Sequence, residues 1–145
     1  MKVTRQGRDY AILITDDDRN SRDALRDIIQ PEGFQTLEAS CGEEAIDIVQ
    51  GRTVHLVLLD MHMPTLTGME TLRLVRQINA LLPAILVTGA PTDDLVRQAI
   101  QAQFYSVIPK PVSKHLLLYT LLKALARAYG QAQDTKNPSE GASQQ

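Results

Sequence analysis

Five short runs of apolar residues alternate along the chain with longer segments in which apolar residues recur every three or four positions. The runs span residues 10–14, 34–39, 54–59, 84–87 and 105–108. Runs of this length predict β-strands, and the segments between them predict amphipathic helices. Such alternation is typical of an α/β fold with a parallel sheet. The third and fourth runs are almost continuously apolar, which predicts interior strands covered on both faces.

The segments between the runs carry signals for individual helices. Two apolar stripes are formed by Ala24, Leu25, Ile28 and Ile29 and by Met69, Leu72, Val75 and Ile78. Ser40 and Glu43 have the spacing of a capping box, which predicts a second helix through Val49. Pro91 and Thr92 should open a fourth helix that ends near Gln101, and Ser113 should cap a fifth that runs to about residue 129. The residues expected to face inward on this last helix are Leu117, Leu121, Leu125 and Ala128.

Composition narrows the class of protein. The 145 residues suffice for one domain, placed at residues 9–129, and the polar segment 130–145 is interpreted as a tail or linker. With 15 Lys and Arg against 17 Asp and Glu, no basic field favours nucleic acid or anionic lipid. No apolar run approaches the about 20 residues of a membrane helix. Cys41 is the single cysteine, so an internal disulfide is excluded and a cytoplasmic location is expected.

Polar residues with chemical potential follow four of the predicted strands. They are Asp16, Asp17 and Asp18 after the first, Asp60 after the third, Thr88 after the fourth and Lys110 after the fifth. Parallel strands end at one edge of the sheet, so these side chains should meet there. Carboxylates crowded together need a cation, and Mg²⁺ prefers oxygen ligands. One carboxylate could then attack phosphorus. Each residue alone could equally be a helix cap, a turn residue or an exposed lysine.

Four sequence blocks together carry a specific resemblance. They are Ile-Leu-Ile-Thr-Asp-Asp-Asp at 12–18, Leu-Leu-Asp-Met-His-Met-Pro at 58–64 followed by Gly68, Leu-Val-Thr-Gly-Ala at 86–90, and Ile-Pro-Lys-Pro-Val at 108–112. In order and spacing this set resembles the receiver domains of response regulators in bacterial two-component, or phosphorelay, signalling. The resemblance covers residues 9–129. It implies a flavodoxin-like fold, a five-stranded parallel sheet of order 2-1-3-4-5 with five helices on both faces.

The resemblance also implies an aspartyl-phosphate site with bound magnesium. Asp60 matches the phosphoacceptor. Asp17 and Asp60 match direct Mg²⁺ ligands, Asp16 matches the acid that holds the ion mainly through water, and the backbone carbonyl of His62 completes the set. Asp18 matches no site residue and is interpreted as the cap of the first helix.

Further positions match the residues that contact and report the phosphoryl group. Thr88 matches the hydroxyl that bonds a phosphoryl oxygen, Lys110 the paired lysine, and Gly89 the small residue beside the switch. Many members have an aromatic residue three positions before the lysine, but here that position is Val107. Tyr105 is expected on the same face of the strand, displaced by about 7 Å.

The implied function is regulatory rather than enzymatic. A sensor histidine kinase or a histidine phosphotransfer protein would donate the phosphoryl group, and the domain would catalyse only its own phosphorylation and dephosphorylation. The resemblance leaves the output partner unknown and allows a homodimer. A phosphohydrolase of the haloacid dehalogenase type is an alternative, but it needs a second aspartate where His62 stands. A receiver-like module that is never phosphorylated is the other alternative, and the complete set of acids, threonine and lysine argues against it.

Overall fold

The computed structural model describes residues 9–130, and its centre is a five-stranded sheet in which every pairing is parallel. The strands are β1 (Ala11–Thr15), β2 (Gln35–Ala39), β3 (Leu56–Asp60), β4 (Ala84–Thr88) and β5 (Ser106–Pro109). Their order is β2-β1-β3-β4-β5, which confirms the flavodoxin-like topology. The third and fourth strands are interior, as predicted, and all ten of their residues are buried.

Five helices cover the two faces of the sheet. They are α1 (Arg19–Ile29), α2 (Gly42–Gly51), α3 (Gly68–Ile78), α4 (Asp93–Gln101) and α5 (Lys114–Leu125), with a 3₁₀ turn at Gln30–Glu32 and a π-helical turn at Ala126–Gly130. Successive side chains of a strand point to opposite faces. Ile12 and Ile14 of β1 therefore pack with α1 and α5, while Leu13 packs with α2, α3 and α4. No helix within residues 9–130 is long and apolar enough to cross a membrane.

Three strands extend one residue further than their apolar runs. Thr15, Asp60 and Thr88 end β1, β3 and β4, and all three are buried. A strand predicted from its apolar run ends before such a residue, because the residue is polar. The backbone of the residue nevertheless continues the parallel strand. Asp60 and Thr88 are consequently fixed by the sheet itself rather than by the loops that follow it.

The predicted helix starts agree with the structure at α1, α4 and α5 but not at α2. Asp18 and Ser113 cap α1 and α5 as predicted, and Thr92, which was predicted with Pro91 to open α4, is the N-cap of that helix. The capping box at Ser40 and Glu43 was wrong, because α2 begins one residue later. Its N-cap, the residue just before the helix, is therefore a cysteine without a side-chain cap bond.

Ser40 has a different partner from the one its spacing suggests. Its backbone N–H and its hydroxyl both donate to Glu44 Oε1, at 2.7 and 3.0 Å. A true capping box occurs instead at the start of α3. There the Thr67 hydroxyl accepts from the Glu70 N–H at 3.1 Å, and Glu70 Oε1 accepts from the Thr67 N–H at 2.9 Å. This capping box fixes the start of α3, the helix that follows the loop after Asp60.

Three residues expected to face the core are exposed: Ala24, Ile78 and Ala128. Ala24 and Ile78 lie at the margins of their stripes, and Ile78 is the last residue of α3. Ala128 follows the end of the regular α5 helix, in the π-helical turn, where the helical period changes. Ala124 is the additional inward residue of α5. The proposed tail, apart from residue 130, lies outside the described residues.

Candidate functional site

The polar residues predicted at the strand ends do meet at the carboxyl edge of the sheet. One oxygen from each of Asp16, Asp17 and Asp60 lies within 4.8 Å of the other two. The Lys110 ammonium lies 2.9 Å from Asp16 Oδ2 and 3.1 Å from Asp60 Oδ1. Asp16 and Asp60 are buried, whereas Asp17 is exposed. The result is an acidic pocket with one ammonium group in contact with its two buried acids.

Asp16 is held through both of its carboxylate oxygens and through its backbone N–H. Its N–H donates to the Ala39 carbonyl at 3.1 Å. Oδ1 accepts from the Asp18 N–H at 2.9 Å, and Oδ2 accepts from Lys110. The same aspartate, Asp18, uses its own carboxylate to cap α1. The first acid of the pocket is thus rigidly placed before any ion binds.

The pocket raises the pKa of Asp60 and of Lys110. Burial, followed by the negative charge of Asp16, raises the pKa of the Asp60 carboxyl despite its hydrogen bond to Lys110. Burial alone lowers the pKa of the Lys110 ammonium. The hydrogen bonds from Lys110 to Asp16 and Asp60 outweigh this, so its pKa lies above the ordinary value. Ionisation of Asp60 is therefore less favourable in this pocket than in an exposed carboxyl group.

The residues present fit a divalent metal ion. By formal charge, the three carboxylates and the one ammonium group leave two negative charges in the pocket without a partner cation. The possible metal ligands of these three side chains are carboxylate oxygens, which are the hard ligand atoms that Mg²⁺ prefers. His62 lies exposed in the loop between β3 and α3, and its backbone carbonyl as a ligand stays a prediction.

Thr88 connects the pocket to two neighbouring segments. Its side chain is fully buried, and its hydroxyl accepts from the Ala90 N–H at 3.1 Å. Its carbonyl accepts from the Lys110 N–H at 2.8 Å. At Gly89 an added Cβ would meet no atom within 4 Å. The space beside Thr88 is therefore open in this conformation.

The residues near the missing aromatic position are separated by the sheet. Val107 packs with the core under α2, α3 and α4, whereas Tyr105 packs with the core under α1 and α5. The Arg127 guanidinium lies 5.9 Å from the centre of the Tyr105 ring. The expectation that both residues share one face was wrong, because β5 begins at Ser106 and Tyr105 precedes its pleat.

Gly68 lies where α3 begins against the end of β3. A Cβ atom at Gly68 would lie 2.6 Å from the Asp60 carbonyl oxygen and 3.0 Å from a methyl group of Leu86. Only glycine lets the first turn of α3 approach the end of β3 so closely. The Gly68 N–H donates to the Met61 carbonyl at 3.0 Å, which closes the loop.

One contact of the pocket has no signal in the sequence. Arg22 of α1 donates from Nη1 to the carbonyl of Asp16 at 2.8 Å. Arginines also occupy positions 19 and 26 of the same helix, so composition and spacing do not single out Arg22. Only the packing of α1 against the end of β1 shows which of them reaches the pocket.

Fold and pocket together define a doubly wound α/β domain that carries an acidic site with one lysine at the carboxyl edge of its sheet. The family model of the response regulator receiver domain matches residues 12–122. The chain therefore belongs to the response regulator receiver domain family, whose members accept phosphoryl groups in two-component signalling. Membership of this family also removes support from the haloacid dehalogenase alternative. Receiver domains interact with kinases or phosphotransfer proteins, and they bind magnesium through an acidic cluster.

Individual relatives agree with this assignment. The transcriptional regulatory protein CpxR of Escherichia coli (strain K12) is 32% identical over 128 residues, which are 87% of this chain and 53% of CpxR. The chain thus spans about half the length of that relative. Sporulation initiation phosphotransferase F of Bacillus subtilis is 33% identical over 100 residues, covering 69% of this chain and 81% of the relative.

A solved structure is also similar across nearly the whole described fold. The CheY-like receiver domain protein from Methanospirillum hungatei JF-1 superposes with a TM-score of 0.80 at 25% identity. The match covers 86% of this chain and 99% of that one.

The raised pKa of Asp60 predicts a pH-dependent gain in stability for Asp60→Asn in metal-free buffer. The folded state binds the Asp60 proton more tightly than the unfolded chain does. The free energy of unfolding therefore falls as the pH rises from the ordinary pKa of 3.8 through the higher pKa of the folded state. Asp60→Asn should therefore be more stable than wild type at pH 7. The gain should shrink as the pH falls through the folded-state pKa of Asp60 towards its ordinary value of 3.8.

Urea unfolding of both proteins in a chelating buffer, at a series of pH values from about 4 to 8, measures this difference. A gain that stays constant across the series would show that ionisation of Asp60 is not its cause.

Proposed function

We propose that residues 9–129 form a phosphoryl-accepting receiver domain in which Asp60 takes the phosphoryl group from a phosphohistidine. The donor is a sensor histidine kinase or a histidine phosphotransfer protein. The placement of the Asp60 carboxylate carries the proposal. It is buried at the end of β3, beside Asp16 and 3.1 Å from the Lys110 ammonium.

The transfer needs an ionised carboxylate at Asp60. One of its oxygens forms the new bond to phosphorus, while the bond from phosphorus to the donor imidazole nitrogen breaks and its electron pair stays on that nitrogen. Asp17, Asp60 and the backbone carbonyl of His62 would hold a magnesium ion, with Asp16 acting mainly through water. The bound ion would supply positive charge that favours the ionised carboxylate and the phosphoryl oxygens.

The other residues of the pocket act on the transferred group. Lys110 already donates to Asp16 and Asp60, and we assign it to pair with a phosphoryl oxygen after transfer. The Thr88 hydroxyl accepts from the Ala90 N–H, which leaves its own hydrogen to donate to a phosphoryl oxygen. Gly89 keeps the space beside Thr88 open.

The proposed role is a cytoplasmic switch rather than a metabolic enzyme. Phosphorylation creates contacts that exist only in one state, and such differential contacts shift a conformational equilibrium. The charge balance of the chain and its lack of a basic field favour a protein partner over direct binding of nucleic acid or membrane by this segment.

Acetyl phosphate with magnesium should phosphorylate the protein once, at Asp60, because the other acids of the pocket serve the metal. Intact-mass spectrometry should show one added phosphoryl group on wild type and none on Asp60→Asn. Asp18→Asn is the matched control, since asparagine still caps α1, and it should be labelled like wild type. Equal labelling of wild type and Asp60→Asn would overturn the assignment.

Magnesium affinity should distinguish the neighbours Asp17 and Asp18. Asp17→Asn removes a charged oxygen ligand and should weaken binding by about tenfold or more. Asp18→Asn keeps the helix cap and should bind almost as wild type does. Isothermal titration calorimetry with magnesium chloride gives both constants. Wild-type affinity in Asp17→Asn would place the ion elsewhere.

The phosphorylated state should be reported through the loop 88–92 and the start of α4 without an aromatic rotamer change. Val107 is short and β-branched, so it has no ring to move towards Thr88. Tyr105 lies on the other face of the sheet beside Arg127. Structures with and without beryllofluoride, a stand-in for the phosphoryl group on Asp60, test this. A Tyr105 ring that turns to the interior behind Thr88 would contradict it.

A further inference from the structure

We propose that Arg22 is a positioning residue for the metal pocket, because it fixes the peptide unit that joins Asp16 to Asp17. This inference rests on the proposed magnesium-dependent function and adds to it a residue outside the four sequence blocks. Arg22 touches neither the ion nor the phosphoryl group in this scheme. It acts through the backbone that carries Asp17.

The Arg22 side chain is largely buried between α1, β2 and the end of β1. It is 16% exposed, and its Nη1 donates to the Asp16 carbonyl at 2.8 Å. Its Nε lies 3.4 Å from Glu38 Oε1 on β2. The planar guanidinium thus bridges a backbone carbonyl and a carboxylate at once, a geometry that its fork of donors allows.

The carbonyl that Arg22 holds helps to set where the Asp17 backbone lies. A peptide unit is planar, so fixing the Asp16 carbonyl also fixes the direction of the Asp17 N–H and the position of its Cα. The other polar atoms of Asp16 are held by Ala39, Asp18 and Lys110. Asp17 is exposed, so its backbone rather than surrounding packing sets its direction. Arg22 completes the alignment of the two acids.

The charge of Arg22 makes a test of positioning unusually clear. Removing a nearby positive charge reduces repulsion of Mg²⁺, so a purely electrostatic role predicts tighter magnesium binding in an Arg22 variant. Loss of alignment predicts the opposite, weaker binding. Partners that orient metal ligands typically change affinity by about tenfold or more when they are altered.

Arg26 offers a matched control one turn along α1. Its Nη1 lies 3.4 Å from Glu38 Oε2, so it shares the carboxylate partner of Arg22. Its other described partners are the side chains of Asp23 and Asp27. Arg26→Gln therefore removes the same charge from the same helix and the same Glu38 pair, but leaves the Asp16 carbonyl bond intact.

The experiment titrates magnesium into the full chain by calorimetry for wild type, Arg22→Gln and Arg26→Gln, with thermal unfolding in chelator as a check of folding. Arg22→Gln should bind magnesium about tenfold more weakly than wild type. Arg26→Gln should bind as tightly as wild type or more tightly. If Arg22→Gln does not fold, Arg22→Lys replaces it. That variant keeps the charge but cannot bridge both acceptors, so a smaller loss in the same direction is expected.

The outcomes separate this inference from the proposed function. Unchanged or tighter binding by the Arg22 variant, with normal binding by wild type, overturns the positioning role alone. An equal loss in the Arg22 and Arg26 variants also overturns it, because the shared Glu38 pair would then be the cause. Wild type that binds no magnesium overturns the metal-dependent function and this inference together.

Discussion

Mutual repulsion of three carboxylates at one edge of the sheet is the constraint on which the rest of the structure depends. Asp16 and Asp60 are buried, and the negative charge of Asp16 raises the pKa of the Asp60 carboxyl further than burial alone does. The unfavourable free energy of this repulsion persists in the folded state because the interior strands are buried on both faces and hold the acids in place. Lys110 offsets part of the repulsion through its contacts with both buried acids. A pocket with residual negative charge, held by a rigid frame, is therefore poised for a divalent cation.

Much of the fold followed from sequence because its signals are repetitive. Strand-length apolar runs alternate with helical stripes, and this alone indicates a parallel sheet covered by helices. The strand order came from the resemblance of the four blocks, since alternation fixes no order. Boundaries failed where a polar residue ends a strand, as at Thr15, and where a cap has no polar side chain, as at Cys41. In both cases backbone hydrogen bonds, rather than the type of side chain, set the boundary of the element.

The site also has residues that the sequence predicts and one contact that it does not. Asp16, Asp60, Thr88 and Lys110 could be placed together from sequence, because the ends of parallel strands share one edge. The contact of Arg22 with the Asp16 carbonyl could not, because it depends on how α1 crosses the end of β1. Side chains that bond to backbone leave little trace in residue type. The position of the Tyr105 ring was missed for a related reason: alternation applies within a strand and stops at its first residue.

The connections of Thr88 limit how a change in the pocket can spread. Its carbonyl is bonded to the Lys110 N–H and its hydroxyl to the Ala90 N–H, so one residue links the pocket to the loops before α4 and α5. A hydroxyl that also bonds a phosphoryl oxygen adds a contact in one state only, and that difference bounds the free energy available for switching. With Val107 packed beneath α2, α3 and α4, no large side chain at that position amplifies the change. Under the proposed phosphorylation of Asp60, the loop 88–92 is the segment that joins Thr88 to the start of α4, so a change at Thr88 would reach that helix through this loop.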